Sequence, residues 1–133
     1  MGHVLPFLMF QDGKAEEAMN YYTSLITDSE ILSVSRYPEG KIGKEGTVMK
    51  GVFSLKGQEF MCNDSTFSHE FSFSPSYSIF ISCDSMQEIT YLYENLVNNG
   101  QALITLDTYG FSRQFAWVSD RFGMSWQLNL PYE

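Results

Sequence analysis

The feature that most constrains the fold is an internal repeat. A segment with helical spacing of its apolar residues and, further on, a turn centred on glycine occur twice in the same order. The helical segments align at an offset of 71 positions and the glycine turns at an offset of 66. The aligned pairs are Ala15 and Met86, Ala18 and Ile89, Tyr22 and Tyr93, Leu25 and Leu96, Gly57 and Gly123, and Phe60 and Trp126. Such a repeat is typical of a supersecondary unit that buries its apolar face against a second copy.

Each copy has the pattern of one strand, one helix and three further strands. Short apolar or alternating runs predict the strands, and apolar residues at three- and four-residue steps predict the helices. Asp12 is the predicted cap of the first helix, and a capping box of Asp84 with Gln87 or of Ser85 with Glu88 is predicted at the second. The predicted strands are 4–10, 30–37, 47–55 and 58–63, then 77–83, 102–107, 111–118 and the run after Gly123.

The predicted fold class is therefore α+β, with paired βαβββ modules in a single domain that spans residues 1–133. The modules cover about 4–64 and 77–131, and a connector rich in serine and phenylalanine, 65–76, joins them. Neither module covers both faces of its own sheet. We therefore expect the helices to cover one side, while the curved mixed sheets enclose a central cavity.

Alternation along the strands predicts which side chains line that cavity. After Gly123, one face carries Trp126, Leu128 and Leu130, and the other carries Ser125, Gln127 and Asn129. The same reasoning assigns Leu5, Phe7 and Met9, then Glu59, Met61 and Asn63, then Tyr77, Ile79 and Ile81 to the cavity side. The predicted ligand-binding residues are Phe7, Met9, Lys50, Glu59, Met61, Tyr77, Arg113, Ser125 and Gln127. The alternative is that these residues only pack the two modules together.

Glu59 is the candidate catalytic residue, although the sequence does not identify a reaction. A carboxylate surrounded by Met61, Phe7 and Tyr77 would have a raised pKa and would serve as a general base. The alternative is that Glu59 lies in solvent at the end of its strand.

Composition excludes several classes of function. The chain of 133 residues has a formal net charge of −8 and only eight basic residues, which disfavours nucleic acid as a partner. Its longest apolar run, 4–10, is too short to cross a membrane, and the N-terminus lacks the pattern of a signal peptide. We expect a cytoplasmic protein in which Cys62 and Cys83 are buried, reduced thiols; a disulfide or a reactive thiol is the alternative.

Three segments together resemble the glyoxalase/bleomycin-resistance/dioxygenase superfamily, also called vicinal oxygen chelate. They are FLMF with AEEAMNYYTSLI, TVMKGVFSLKGQEFMCND, and DRFGMSWQLNLP. Within it, the chain is most similar to the PhnB-like branch, often labelled 3-demethylubiquinone-9 3-methyltransferase. The resemblance covers nearly the whole chain, and it implies the paired βαβββ fold and a homodimer. The methyltransferase label has no support from the residues, because the turn 11–14 contains one glycine where a nucleotide-type cofactor needs several.

The resemblance also locates the positions at which metal-dependent members hold a divalent ion with His and Glu. In this chain those positions are Leu5, Met61, Tyr77 and Gln127, and only the glutamine is even a weak ligand for a hard cation. We therefore expect no metal ion and no cofactor. The sequence favours a metal-independent binding protein for a small apolar or aromatic molecule. The alternatives are a metal-independent isomerase or lyase acting on a small carbonyl compound through Glu59, Tyr77 or Gln127, and a dimer scaffold with a filled cavity.

Overall fold

The computed structural model describes residues 2–40 and 42–133, and it confirms the βαβββ order in both copies. The chain divides into two compact units, which meet at the Glu70–Phe71 peptide bond. Unit 1 contains β1 (Phe7–Phe10), α1 (Ala15–Leu25), β2 (Ser29–Arg36), β3 (Val48–Leu55) and β4 (Gln58–Asp64). Unit 2 contains β5 (Ser78–Ser82), α2 (Met86–Val97), β6 (Gln101–Asp107), β7 (Gln114–Ser119) and β8 (Ser125–Leu130).

The two four-stranded sheets have equivalent topology. The strand order is β1-β4-β3-β2 in unit 1 and β5-β8-β7-β6 in unit 2. In each, the first strand is parallel to the last one, and the other neighbours are antiparallel. The predicted glycine turns join the last two strands of each sheet, and Gly57 and Gly123 have φ of 90° and 87°. Glycine adopts this left-handed backbone without steric cost, which explains its place in both turns.

Helix α1 closes one face of the unit 1 sheet. The Tyr22 and Phe53 rings lie 6.3 Å apart between helix and sheet, and both side chains are fully buried. Opposite the helix, β3 carries Gly51, where an added Cβ would lie 2.8 Å from the sulfur of Met19 and 3.0 Å from that of Cys62. The helix therefore packs closely against the central strands because Gly51 has no side chain.

The predicted cap of α1 is wrong. The N-cap position is Lys14 and not Asp12, and the Lys14 side chain makes no capping hydrogen bond. Instead, the carboxylate of Asp64, 3% exposed at the end of β4, accepts hydrogen bonds of 2.8 Å from the N–H groups of Ala15 and Val48. One side chain thus satisfies the first donor of the helix and the first donor of β3.

At α2 the structure selects one of the two predicted capping boxes. The Ser85 hydroxyl accepts from the Glu88 N–H at 3.0 Å, and the Glu88 carboxylate accepts from the Asp84 N–H at 2.7 Å. The helix contacts β6, β7 and β8. Its buried residues are Ile89, Leu92 and Leu96. The core of unit 2 thereby forms between one helix face and one sheet face.

The turn before β8 is held by a buried aspartate. Asp120 accepts hydrogen bonds from the N–H groups of Phe122 and Met124 through one oxygen, and from the indole N–H of Trp126 through the other. Trp126 is fully buried. The alternation predicted after Gly123 is confirmed, since Trp126, Leu128 and Leu130 are at most 4% exposed.

Two further predictions have clear outcomes. Strand β7 begins at Gln114 and not at 111, because the Thr108 hydroxyl bonds the Arg113 carbonyl and holds the preceding residues in a turn. Cys62 and Cys83 are both buried thiols, as predicted. Within the described ranges, no helix is long and apolar enough to cross a membrane.

Candidate functional site

Each sheet has one face packed against its helix and a second face, which we call the open face. In unit 1, Gly51, Phe53, Phe60 and Cys62 lie on the helix side. Their neighbours along the strands point the other way. The open face of unit 1 comprises Phe7, Met9, Lys50, Val52, Ser54, Glu59, Met61 and Asn63.

The structure brings four of these side chains into one patch. In the parallel β1–β4 ladder, Phe7 is the partner of Met61 and Met9 is the partner of Asn63. Phe7 is 54% exposed, and the other three are half-buried. Two thioethers and a phenyl ring thus lie on the same face as a single amide, at neighbouring positions of the ladder. This is the balance of apolar surface and few polar groups found in small-molecule sites.

Glu59 and Lys50 lie on the same open face but near opposite ends of it. Glu59 is the partner of Ser54 at the start of β4, and it is exposed. Asn63 is four positions further along β4, which corresponds to roughly 13 Å along a strand. The exposure of Glu59 agrees with the alternative in which this residue lies in solvent at the end of its strand. It does not agree with the buried surroundings expected for the general base. Its assignment as a catalytic residue stays a prediction.

Asn63 carries the most unusual polar atom of this face. Its Oδ1 is buried and accepts no hydrogen bond from any described residue. A buried carbonyl oxygen without a donor costs free energy, so such atoms are rare in folded proteins. The sequence placed Asn63 on this face, but it gave no reason to include the residue among the ligand-binding side chains.

The open face of unit 2 differs from the sequence prediction in β5. Ile79 and Ile81 pair with Trp126 and Leu128, and all four are buried on the helix side. The prediction that both isoleucines line the open face is therefore wrong. The residues that pair with Ser125, Gln127 and Asn129 are Ser78, Phe80 and Ser82.

The cause of this error is a misalignment of one residue between β1 and β5. Phe80 pairs with Gln127 as Phe7 pairs with Met61, so Phe80 corresponds to Phe7. The prediction matches Phe7 with Ile79 instead, which is one residue short of this position. A shift of one residue in a strand reverses the face of every side chain.

The polar residues of β8 are joined in hydrogen bonds. The Ser125 hydroxyl, 1% exposed, accepts from the indole N–H of Trp117 at 2.8 Å and pairs with the Ser78 hydroxyl at 2.6 Å. Ser112 donates to Oδ1 of Asn129. Predicted site residue Ser125 is therefore present on the open face with its hydroxyl fully engaged.

The other three predicted ligand-binding residues of unit 2 are Gln127, Tyr77 and Arg113. Gln127 is half-buried between its neighbours, and its amide bonds no other described residue. Tyr77 precedes β5 by one residue and is 49% exposed. Arg113 precedes β7 by one residue and is exposed. The involvement of these residues in binding stays a prediction.

The residues at the four positions that the resemblance predicts for a metal site are poor ligands for an ion. Leu5 is aliphatic, Met61 offers a thioether, Tyr77 a phenol and Gln127 an amide. Hard divalent ions prefer carboxylate, and zinc prefers imidazole or thiolate. Across 2–40 and 42–133, no three His, Cys, Asp or Glu residues form a group that could hold a metal ion.

A pocket of about 440 Å³ lies at the start of α1 in unit 1. Its lining residues are Gln11, Asp12, Gly13, Lys44, Thr47, Asp64, Ser65, Thr66, Phe67 and Ser68. None of the predicted ligand-binding residues is among them. Asp64 is already engaged by two main-chain donors. The pocket is therefore a separate feature of the unit.

The buried thiol of unit 1 is not a nucleophile at neutral pH. Burial, together with the smaller effect of the negative charge of Asp64, raises the pKa of Cys62 to about 12. The thiolate is the reactive form of cysteine, and at pH 7 almost none of it is present.

Comparisons with known proteins agree on the family. The family model for 3-demethylubiquinone-9 3-methyltransferase matches residues 2–129. A PhnB protein from Bacillus cereus that carries the same methyltransferase label is 50% identical, with a TM-score of 0.93 over 97% of this chain and 99% of that one. No match was found among curated protein sequences.

More distant structures share the fold alone. A glyoxylase/bleomycin resistance protein/dioxygenase domain from Frankia is 15% identical, with a TM-score of 0.68 over 99% of this chain and 98% of that one. The fosfomycin resistance protein FosX from Listeria monocytogenes is 9% identical, with a TM-score of 0.63 over 99% of this chain and 94% of that one.

Proposed function

Because the chain belongs to the 3-demethylubiquinone-9 3-methyltransferase family, the PhnB-like branch of the glyoxalase/bleomycin-resistance/dioxygenase superfamily, we propose that it binds a small apolar or aromatic molecule on the open faces of its sheets. Binding requires no metal ion and no cofactor. The family name refers to a methyl transfer, but the turn 11–14 between β1 and α1 lacks the run of glycines that a nucleotide-type methyl donor needs.

The observation that carries the proposal is the exposure of equivalent phenylalanines. Phe7 and Phe80 occupy corresponding positions of the two sheets and are 54% and 56% exposed. Each lies beside the residue, Met61 or Gln127, at which metal-dependent members hold their ion. Exposed aromatic surface that recurs at the same place in both units indicates a binding surface.

A thermal-shift screen of the purified protein against small aromatic and apolar compounds tests the proposal. A ligand at 100 times its dissociation constant stabilises the folded state by about 2.7 kcal/mol. For a chain of this size, that corresponds to a rise in Tm on the order of 10 °C. Adding a chelator to the protein beforehand should leave the rise unchanged. A shift that requires an added divalent cation would contradict metal-independent binding.

Matched substitutions locate the site. F7S and F80S should each weaken binding of any compound that shifts the Tm, because each removes apolar contact surface. F71S is the control, since Phe71 is 61% exposed but lies outside both sheets. Equal losses in all three variants would place the ligand elsewhere.

We also propose that the protein forms a homodimer, which the same exposed surface supports. Light scattering coupled to size-exclusion chromatography measures the mass directly. If F7S and F80S convert a dimer to a monomer while no compound shifts the Tm, the surface serves assembly alone and the scaffold alternative is correct. The cytoplasmic location stays a prediction from the sequence.

A further inference from the structure

We infer that Asn63 and Lys50 select the ligand of the open face of unit 1, and that they require a neutral group which both donates and accepts a hydrogen bond, such as a hydroxyl. The inference rests on the proposed function. It adds the chemical class of the group that the site recognises and the two side chains that recognise it.

Asn63 has a side-chain oxygen that lacks a hydrogen-bond donor among the described residues. Its Oδ1 is buried without a partner, whereas the corresponding residue of unit 2, Asn129, accepts a hydrogen bond from Ser112. The correspondence follows from the two ladders, in which Phe7–Met61 matches Phe80–Gln127. The same residue type at the same place is thus satisfied within its own unit in one case and not in the other. The missing donor in unit 1 is the group that a ligand supplies.

Lys50 lies next to Asn63 on the open face of unit 1. The β3–β4 ladder ends with the pair Gly51–Cys62, and Lys50 and Asn63 are the next residues of the two strands, both on the open face. The Lys50 ammonium makes no ion pair or hydrogen bond with any other described residue. It can therefore donate to a ligand that also reaches Asn63.

Together these two groups restrict the ligand. A carboxylate would satisfy Lys50, but it has no proton for the Asn63 oxygen at neutral pH. An ammonium would donate to Asn63, but the charge of Lys50 would repel it. A hydroxyl donates its proton to Asn63 and accepts from Lys50 through its oxygen. Met9, Met61 and Phe7 then provide apolar surface for the rest of an aromatic ring.

The first experiment measures the free protein. N63L replaces the amide with an apolar side chain of similar shape and should raise the Tm, because it removes a buried acceptor that has no donor. N129L is the matched control and should lower the Tm, because it leaves the buried Ser112 hydroxyl without its acceptor. A fall in Tm for N63L comparable to that of N129L would show that Asn63 is already satisfied, and would overturn the inference.

The second experiment measures binding of phenol and of anisole by NMR titration. The two probes have similar aromatic bodies, but the methyl group of anisole removes the donor. The wild-type protein should bind phenol about tenfold more tightly than anisole, and N63L should bind both with the affinity of anisole. K50M should weaken phenol binding, whereas K56M, at the β3–β4 turn, should not.

The outcomes separate this inference from the proposed function. If both probes bind the wild-type protein equally, or if N63L keeps the preference for phenol, the inference is wrong and aromatic binding still stands. If neither probe binds, aromatic binding on the open face fails, and a fall in the Tm of N63L would independently refute the role of Asn63.

Discussion

Replacement of Asp64 should be among the most destabilising single changes in unit 1. Asp64 is 3% exposed, and its two oxygens accept separate 2.8 Å hydrogen bonds from the main chain at the starts of α1 and β3. D64A leaves both N–H groups without an acceptor. A lost hydrogen bond to a charged group costs about 1.5–3 kcal/mol. The expected loss in the free energy of unfolding for the two bonds is therefore roughly 3–6 kcal/mol, which is a large share of the 5–15 kcal/mol typical of a domain.

Urea unfolding followed by circular dichroism at 222 nm measures this loss. D12N is the matched control, because Asp12 is an exposed aspartate before the same helix, with φ of 60°, and the sequence predicted it as the cap. Asparagine tolerates this left-handed backbone, so D12N should change stability by less than about 0.5 kcal/mol. A loss below about 1 kcal/mol in D64A, or equal losses in D64A and D12N, would refute the assignment of Asp64 as the distant cap of α1.

Three further changes test other parts of the structure. Iodoacetamide at pH 8 should not modify Cys62 in the native protein, since the pKa of this thiol is raised to about 12. It should modify Cys62 once urea unfolds the chain. G100A should destabilise the protein by at least about 2 kcal/mol in urea unfolding, because its Cβ would lie 2.1 Å from a main-chain oxygen of β7, whereas G2A should have no effect. The Glu16–Arg36 hydrogen bonds lower the pKa of Glu16. The wild-type protein should thus have a slightly larger free energy of unfolding than E16Q above pH 4.5, and this difference should disappear as pH falls through the lowered pKa of Glu16.

Much of the fold follows from the sequence because both copies of the repeat show the same order of strands and helix. The periods of 3.6 and 2 identify helices and strands, and the second copy confirms each assignment made in the first. The faces of β1, β4 and β8 are also correct, since alternation along one strand depends only on local backbone geometry. These are properties that a single segment determines by itself.

The errors concern relations between segments. The sequence prediction matches Tyr77, Ile79 and Ile81 with Leu5, Phe7 and Met9, and this match is one residue out of register, which is enough to reverse the face of β5. The cap of α1 was sought in the residues just before the helix, whereas the acceptor is Asp64, 49 positions later. Local sequence identifies a donor that needs a partner, but only tertiary structure shows which residue supplies it.

The difference between Asn63 and Asn129 shows why a candidate site is harder to predict than a fold. Duplication preserves the backbone position of both asparagines, so the sequence pattern treats them as equivalent. Their chemistry depends on whether a neighbouring loop provides a donor, and Ser112 does so only for Asn129. The repeat therefore keeps the scaffold of the two surfaces equivalent, whereas the hydrogen bonding of single side chains differs between them, and it is this difference on which the proposed ligand selection by unit 1 depends.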